Sequence, residues 1–273
     1  MPIAKTRGFE TYYEISGSGP PLLLIAGNGM DHSAFNEQLP EFSRHFTCIT
    51  YDLRSIGAST ELEPGYTSCD LADDAIALLE TLDFLPAHVA GYSLGGAVAQ
   101  EMAIEHGDAV CTLSLYSTYD RVEPFLRLRY DLLVKILNET SPDIWAMFTA
   151  FSAFGQEYVN THEAEVREEI GRRAARWRGD SPPSRRGLEG HYQAVLSHDA
   201  SKRLSRIACP TFIAVGADDP VTPPMYAHRL HAAIPASELM VFEGKPHRLL
   251  SFGAERFTEA ALRFLLRYRS GTR

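Results

Sequence analysis

Basic charge is scarce in this chain: 26 Lys+Arg stand against 35 Asp+Glu, a formal net charge of −9. Nucleic-acid binders present a basic face, so a nucleic-acid partner is excluded. Cysteine is scarce too. Cys48, Cys69, Cys111 and Cys209 lie far apart with no CxxC pair and no histidine at ligand spacing, which argues against a metal knuckle or a disulfide scaffold. Cys48, Cys111 and Cys209 sit in or beside apolar runs and read as reduced, buried thiols. No apolar run approaches membrane-spanning length, and the first residues, Met1-Pro2-Ile3-Ala4-Lys5-Thr6-Arg7, lack an apolar signal core. A cytoplasmic protein with no membrane partner is the expectation. Low-complexity tracts and internal repeats are missing as well, leaving 273 residues of ordinary composition, enough for one large domain or two small ones.

What is present is an alternation. Two short strands flank Gly8, and then apolar runs recur at 22–26, 46–51, 87–92, 110–116, 211–215 and 238–242. Runs of this kind form strands buried on both faces. Helical patterns lie between them at 71–82, 100–105, 224–234 and 255–268. Strand–helix alternation predicts a mostly parallel sheet covered by helices on both sides. The alternation stops from about Tyr119 to Arg206, where amphipathic stretches at 123–138, 142–154, 163–178 and 183–198 are punctuated by Pro142, Gly155, Gly179 and Pro182-Pro183. Between Ser117 and Ser205 the acids and bases are equal, 13 of each, so the whole deficit of charge lies outside this segment. The segment reads as a helical cap inserted after the sixth strand. It is expected to lie over the C-terminal edge of the sheet, where open α/β sheets bind ligands.

Gly91-Tyr92-Ser93-Leu94-Gly95 follows a predicted strand and opens a predicted helix. Glycines two before and two after a serine permit a sharp turn that displays the hydroxyl at its tip. A serine nucleophile needs a base, an acid that orients the base, and donors for the oxyanion. Two loops offer the first two: Asp218-Asp219 after the strand at 211–215, and His247 after the strand at 238–242. Both follow strand C-termini and converge on the edge that carries Ser93. His191, His198, His228 and His231 compete with His247 as the base, but lie on predicted helices.

These motifs resemble a capped α/β-hydrolase over essentially the whole chain, which implies an eight-stranded, mostly parallel sheet. The expected boundaries are 1–118 and 206–273 for the hydrolase core and 119–205 for the cap. The family pattern GxxDxxxP matches Gly216, Asp219 and Pro223, so the resemblance implies Asp219 as the acid, with Asp218 the alternative. The family histidine usually follows glycine, where this chain has Pro246. The Asp52–Ser59 stretch resembles the family's DxRGxGxS turn, with Ser55 in place of a glycine. Where the family commonly has His-Gly-X, the chain has Ala26-Gly27-Asn28, and the resemblance implies the Asn28 and Leu94 backbone amides as oxyanion donors.

Within the family the chain resembles enol-lactone hydrolases and small carboxylesterases. The implied activity is cleavage of a small apolar or aromatic ester or lactone through an acyl-serine, with no metal and no cofactor. A carbon–carbon bond hydrolase of aromatic degradation and a small-molecule receptor with little turnover are the alternative readings, and a homodimer stays open. Met30, Trp145, Phe148 and Leu249 are the expected pocket residues. Arg121, Arg127, Arg129 and Arg248 are candidates for a substrate carboxylate, or else solvated surface arginines.

Overall fold

The apolar runs pair into one eight-stranded sheet in the computed structural model of the protein, which describes residues 2–179, 182–252 and 254–269. The strands are β1 (Ile3–Thr6), β2 (Phe9–Ser16), β3 (Pro21–Ile25), β4 (Thr47–Tyr51), β5 (Ala87–Tyr92), β6 (Val110–Tyr116), β7 (Thr211–Gly216) and β8 (Ser237–Phe242). Their spatial order is β1-β2-β4-β3-β5-β6-β7-β8, antiparallel at β1/β2 and β2/β4 and parallel throughout the rest. β5 and β7 are buried along their whole length, as the continuous apolar runs require.

The pleat sends alternate side chains into two cores. Leu23, Ile25 and Val89 point into one, filled by α2 (Ser68–Thr81), α3 (Leu94–Glu105) and α9 (Pro224–Ala233). Leu22, Leu24 and Tyr92 point into the other, filled by Phe42 of the short α1 (Leu39–Phe42) and by Phe257, Ala261 and Phe264 of α10 (Ala254–Arg267). α2 begins three residues earlier than its apolar pattern, because Thr67 and Asp70 form a reciprocal capping box.

Among the described residues five α-helices lie between β6 and β7: α4 (Pro124–Glu139), α5 (Pro142–Phe151), α6 (Gln156–Thr161), α7 (Glu163–Arg178) and α8 (Arg185–Ser197). α5 stops short of the predicted 154. The Ser152 hydroxyl bonds back to the Phe148 carbonyl and accepts from Arg129, and such side-chain bonds compete with helix continuation. The separate α6 was not visible as a pattern in the sequence. α4 and α8 are not an independent body, for Tyr130, Leu133, Leu188 and Tyr192 belong to the same apolar cluster as Leu23 and Leu94.

His191 of α8 joins the insertion to two loops at the edge of the sheet. Fully buried, it accepts the Gly29 amide at Nδ1 (3.3 Å) and donates from Nε2 to the Arg54 carbonyl (3.2 Å). That pair of partners defines the neutral Nε2–H tautomer. Burial lowers its pKa from 6.5 to about 4. The folded state thus demands the uncharged ring. Its contribution to stability is complete above pH 6.5 and is lost as pH falls toward 4. His88, buried on β5, shifts in the same direction. Urea unfolding of wild type and His191→Gln at pH 7.5 and 4.5 isolates the His191 share. The wild type is expected to lose roughly 2–3 kcal/mol more than the variant over that interval, and equal losses would contradict the assignment.

Candidate active site

Ser93 sits between β5 and α3 with φ 54° and ψ −116°, a left-handed conformation that costs a non-glycine residue energy. The packing around it explains how that conformation persists. A Cβ on Gly91 would lie 2.1 Å from the Gly95 carbonyl oxygen, and one on Gly95 would lie 2.2 Å from the Ile25 carbonyl oxygen. Glycine at both positions lets the first turn of α3 press onto β5 and β3. The Ser93 amide donates to the Tyr116 carbonyl (2.9 Å) and the Thr118 hydroxyl donates to the Ser93 carbonyl (2.7 Å), holding the turn from the β6 side.

Asp219 and His247 reach this serine from the neighbouring strand ends. The Asp219 carboxylate accepts from the Val221 and Thr222 amides (both 2.8 Å) and the Thr222 hydroxyl (2.9 Å), and His247 Nδ1 lies 2.8 Å from its Oδ2. Its side chain is fully buried, so these donors stand in for water around the charge. His247 Nε2 lies 3.3 Å from Ser93 Oγ. With Nδ1–H donating to Asp219, Nε2 is left as an acceptor facing the hydroxyl. The backbone of His247 is tied on both sides: its amide donates to the Ala153 carbonyl (3.2 Å) and its carbonyl accepts from the Tyr92 hydroxyl (2.9 Å). Pro246 in place of the usual glycine does not hinder this placement. Asp218 makes no bond to His247. Its amide donates to the Lys245 carbonyl, and its side chain lines a separate hollow with Gly155 and Gln156.

The loop after β3 faces the serine from the other side. A Cβ on Gly27 would come within 3.3 Å of the Ser93 Cβ and 2.9 Å of the Tyr92 ring, so the backbone approaches closely here. Among the described residues no acceptor is bonded to the Asn28 or the Leu94 amide. Asn28 Oδ1 is buried without a hydrogen-bond partner.

Ser93 and His247 open into a cavity of about 310 Å³. Of the four expected pocket residues, Met30 and Trp145 line it, the indole N–H of Trp145 being anchored on the Tyr192 hydroxyl (2.9 Å). Leu249 does not: it is fully buried in the core beneath α10. Phe148 packs against the other core instead, with the Arg129 guanidinium over its ring. Of the four candidate arginines, Arg129 and Arg248 line the cavity. Arg121 is engaged elsewhere with Asp120 and Glu123.

The sequence reading missed the polar part of the wall, chiefly Glu169, Arg172, Arg173 and Arg176 of α7. Their 0, 3, 4, 7 spacing puts four charges on one helix face, a pattern ordinarily assigned to solvent. Yet Glu169 is buried, bonded by Arg172, Arg173 (2.8 Å) and Arg248 (3.1 Å). Those cations hold its carboxyl below the usual range against the opposing effect of burial. Among the described residues no cluster of three or more His, Cys, Asp or Glu suits a metal ion, and no helix is long and apolar enough to cross a membrane.

Comparison with known proteins agrees with this fold. Residues 20–254 match the family described as alpha/beta hydrolase fold. A Caulobacter vibrioides protein named "Putative carbamate hydrolase" is 26% identical over 260 residues, covering 93% of this chain and 94% of the relative. The crystal structure of a hydrolase from Pseudomonas aeruginosa superposes with a TM-score of 0.84 at 27% identity, covering 97% of each chain. The enol-lactonase from Burkholderia xenovorans shares the fold with a TM-score of 0.84 at 24% identity, over 97% of this chain and all of that one. The chain belongs to the alpha/beta hydrolase fold family and is an alpha/beta hydrolase.

Proposed function

We propose that Ser93, His247 and Asp219 are the nucleophile, base and orienting acid of a serine hydrolase acting on a small carboxylic ester or lactone. One observation carries the reading: the continuous chain from Asp219 Oδ2 through His247 to Ser93 Oγ, ending at a cavity. His247 takes the hydroxyl proton as Ser93 attacks the carbonyl. Asp219 fixes the tautomer and stabilises the imidazolium, its carboxylate being held in place by two amides and a hydroxyl.

The oxyanion that forms is assigned to the Asn28 and Leu94 amides, which have no protein acceptor of their own among the described residues. A donor of this kind contributes about 3 kcal/mol to the barrier. The imidazolium then protonates the leaving alkoxide, and water activated by the same nitrogen clears the acyl-serine. The insertion 119–205 acts in this reading as a cap: Tyr130 and Leu133 of α4, Trp145 of α5 and Tyr192 of α8 enclose the substrate above Ser93. A cavity of about 310 Å³ suits a small substrate.

Initial rates on p-nitrophenyl acetate test the assignment. Ser93→Ala is expected to lower kcat about a thousandfold or more, and Asp219→Asn by a comparable factor through the wrong tautomer. Asp218→Asn is expected to change it less than about threefold, since the His247 ring is bonded by Asp219 and not by Asp218. Persistent turnover in Ser93→Ala would refute the nucleophile. A single stoichiometric release of nitrophenol with no steady state would favour the receptor reading.

A further inference from the structure

We propose that the substrate carries a carboxylate, and that Arg129 binds it on the wall of the cavity into which Ser93 opens. The inference rests on the serine-hydrolase reading, since it concerns the same cavity, and it names the substrate class.

Charge is the first ground. A chain of net charge −9 surrounds this cavity with five arginines and only two carboxylates, Asp31 and Glu169. Four of the arginines have a carboxylate within ion-pair distance: Arg172, Arg173 and Arg248 share the one Glu169, and Arg176 pairs with Asp31 (2.8 Å), so the wall keeps an excess of positive charge. Arg129 is different. Among the described residues no carboxylate lies within ion-pair distance of it. Its partners are the Ser152 hydroxyl (2.8 Å) and the face of Phe148 (5.8 Å from the guanidinium carbon).

Energetics is the second ground. A guanidinium has five N–H donors, and this one gives a single bond to a protein oxygen. It is half-buried beside Tyr130, and burial pulls its pKa below the usual value. Removing an unpaired charge from water is costly, and a protein that needed only packing here would place an apolar side chain. The charge is retained facing the cavity, which also contains the candidate nucleophile and base. An anion arriving with the substrate completes it.

The free edge of the guanidinium selects the anion. Ser152 occupies one Nη2 donor, which leaves room for one bidentate partner, and two coplanar oxygens bearing one negative charge match it. With about 310 Å³ available, the carboxylate and the reacting carbonyl must belong to one short molecule, a half-ester or a lactone acid.

Two measurements decide the matter. In the first, a pH-stat follows cleavage of monoethyl glutarate and of its neutral counterpart of equal length, ethyl pentanoate. Wild type is expected to favour the half-ester by at least about tenfold in kcat/KM. Arg129→Gln is expected to bring that ratio toward one, mainly through KM, and Arg129→Lys to give an intermediate ratio. A wild-type ratio at or below one overturns the proposal, whether or not the variants fold.

The second measurement is calorimetric titration of the Ser93→Ala protein with glutarate. The expected Kd weakens at least about tenfold when Arg129→Gln is added. Glutarate binding that depends on Arg129, with neither ester cleaved, upholds the anion site and overturns the hydrolase reading. Cleavage of ethyl pentanoate with no glutarate binding does the reverse. Inorganic phosphate binding more tightly than glutarate overturns the choice of a carboxylate.

Discussion

The close backbone approach around Ser93 is the constraint on which the rest of the site depends. A left-handed serine is tolerable only where its surroundings leave it no alternative. Here the first turn of α3 lies so near β3 and β5 that a single methyl group on Gly91 or Gly95 would overlap a carbonyl oxygen. The same compression brings the loop at Gly27 against the serine, next to the Asn28 amide, which like that of Leu94 has no acceptor among the described residues. The strain and the proposed oxyanion donors therefore have one cause, the sheet and α3 packed at backbone distance.

Around that turn, charge is managed by enclosure. Asp219 is removed from water and given protein donors. Glu169 is removed from water and given three arginines. His191 is removed from water and kept neutral. Asp219 is satisfied by its own loop and by His247, whereas Glu169 through Arg248 and His191 through Gly29 and Arg54 link the insertion to the loops of the sheet. His191 is the clearest case, because its ring bridges α8 to the Gly29 amide, one residue from the proposed Asn28 donor. The helices over the sheet thus influence the geometry beneath them as well as enclosing it. Arg129 is the exception in this scheme, a cation without a carboxylate within ion-pair distance, where every other arginine of the wall touches one.

Much of this was legible in the chain, and for identifiable reasons. Six strands appeared as apolar runs and the first two as short strands around Gly8, because apolar periodicity is a local feature. Ser93 and His247 were marked by their position at strand ends, a local feature. The two adjacent aspartates were harder. Residue spacing within a loop leaves both within reach of a histidine, and a family pattern was needed to prefer Asp219. The structure brings Asp219 to His247 through the turn that Val221 and Thr222 close on its carboxylate, while Asp218 faces the α6 side. Leu249 and Phe148 looked like pocket residues because they are large, apolar and close in sequence to the site. Leu249 is buried in one core, and Phe148 packs half-buried against the other beneath Arg129.

Local order in the sequence determined the strands, the serine turn and the loops that carry acid and base, because apolar periodicity and glycine placement act over a few residues. Tertiary structure alone decided which charges look inward. The face of α7 bearing Glu169, Arg172, Arg173 and Arg176 is by pattern a solvent face, and it becomes a cavity wall only because α5 and α6 turn it toward Ser93. Whether an arginine is paired depends on carboxylates dozens of residues away, as Arg176 with Asp31 illustrates. Coulomb interactions are set by distance in space, and separation along the chain carries no record of it.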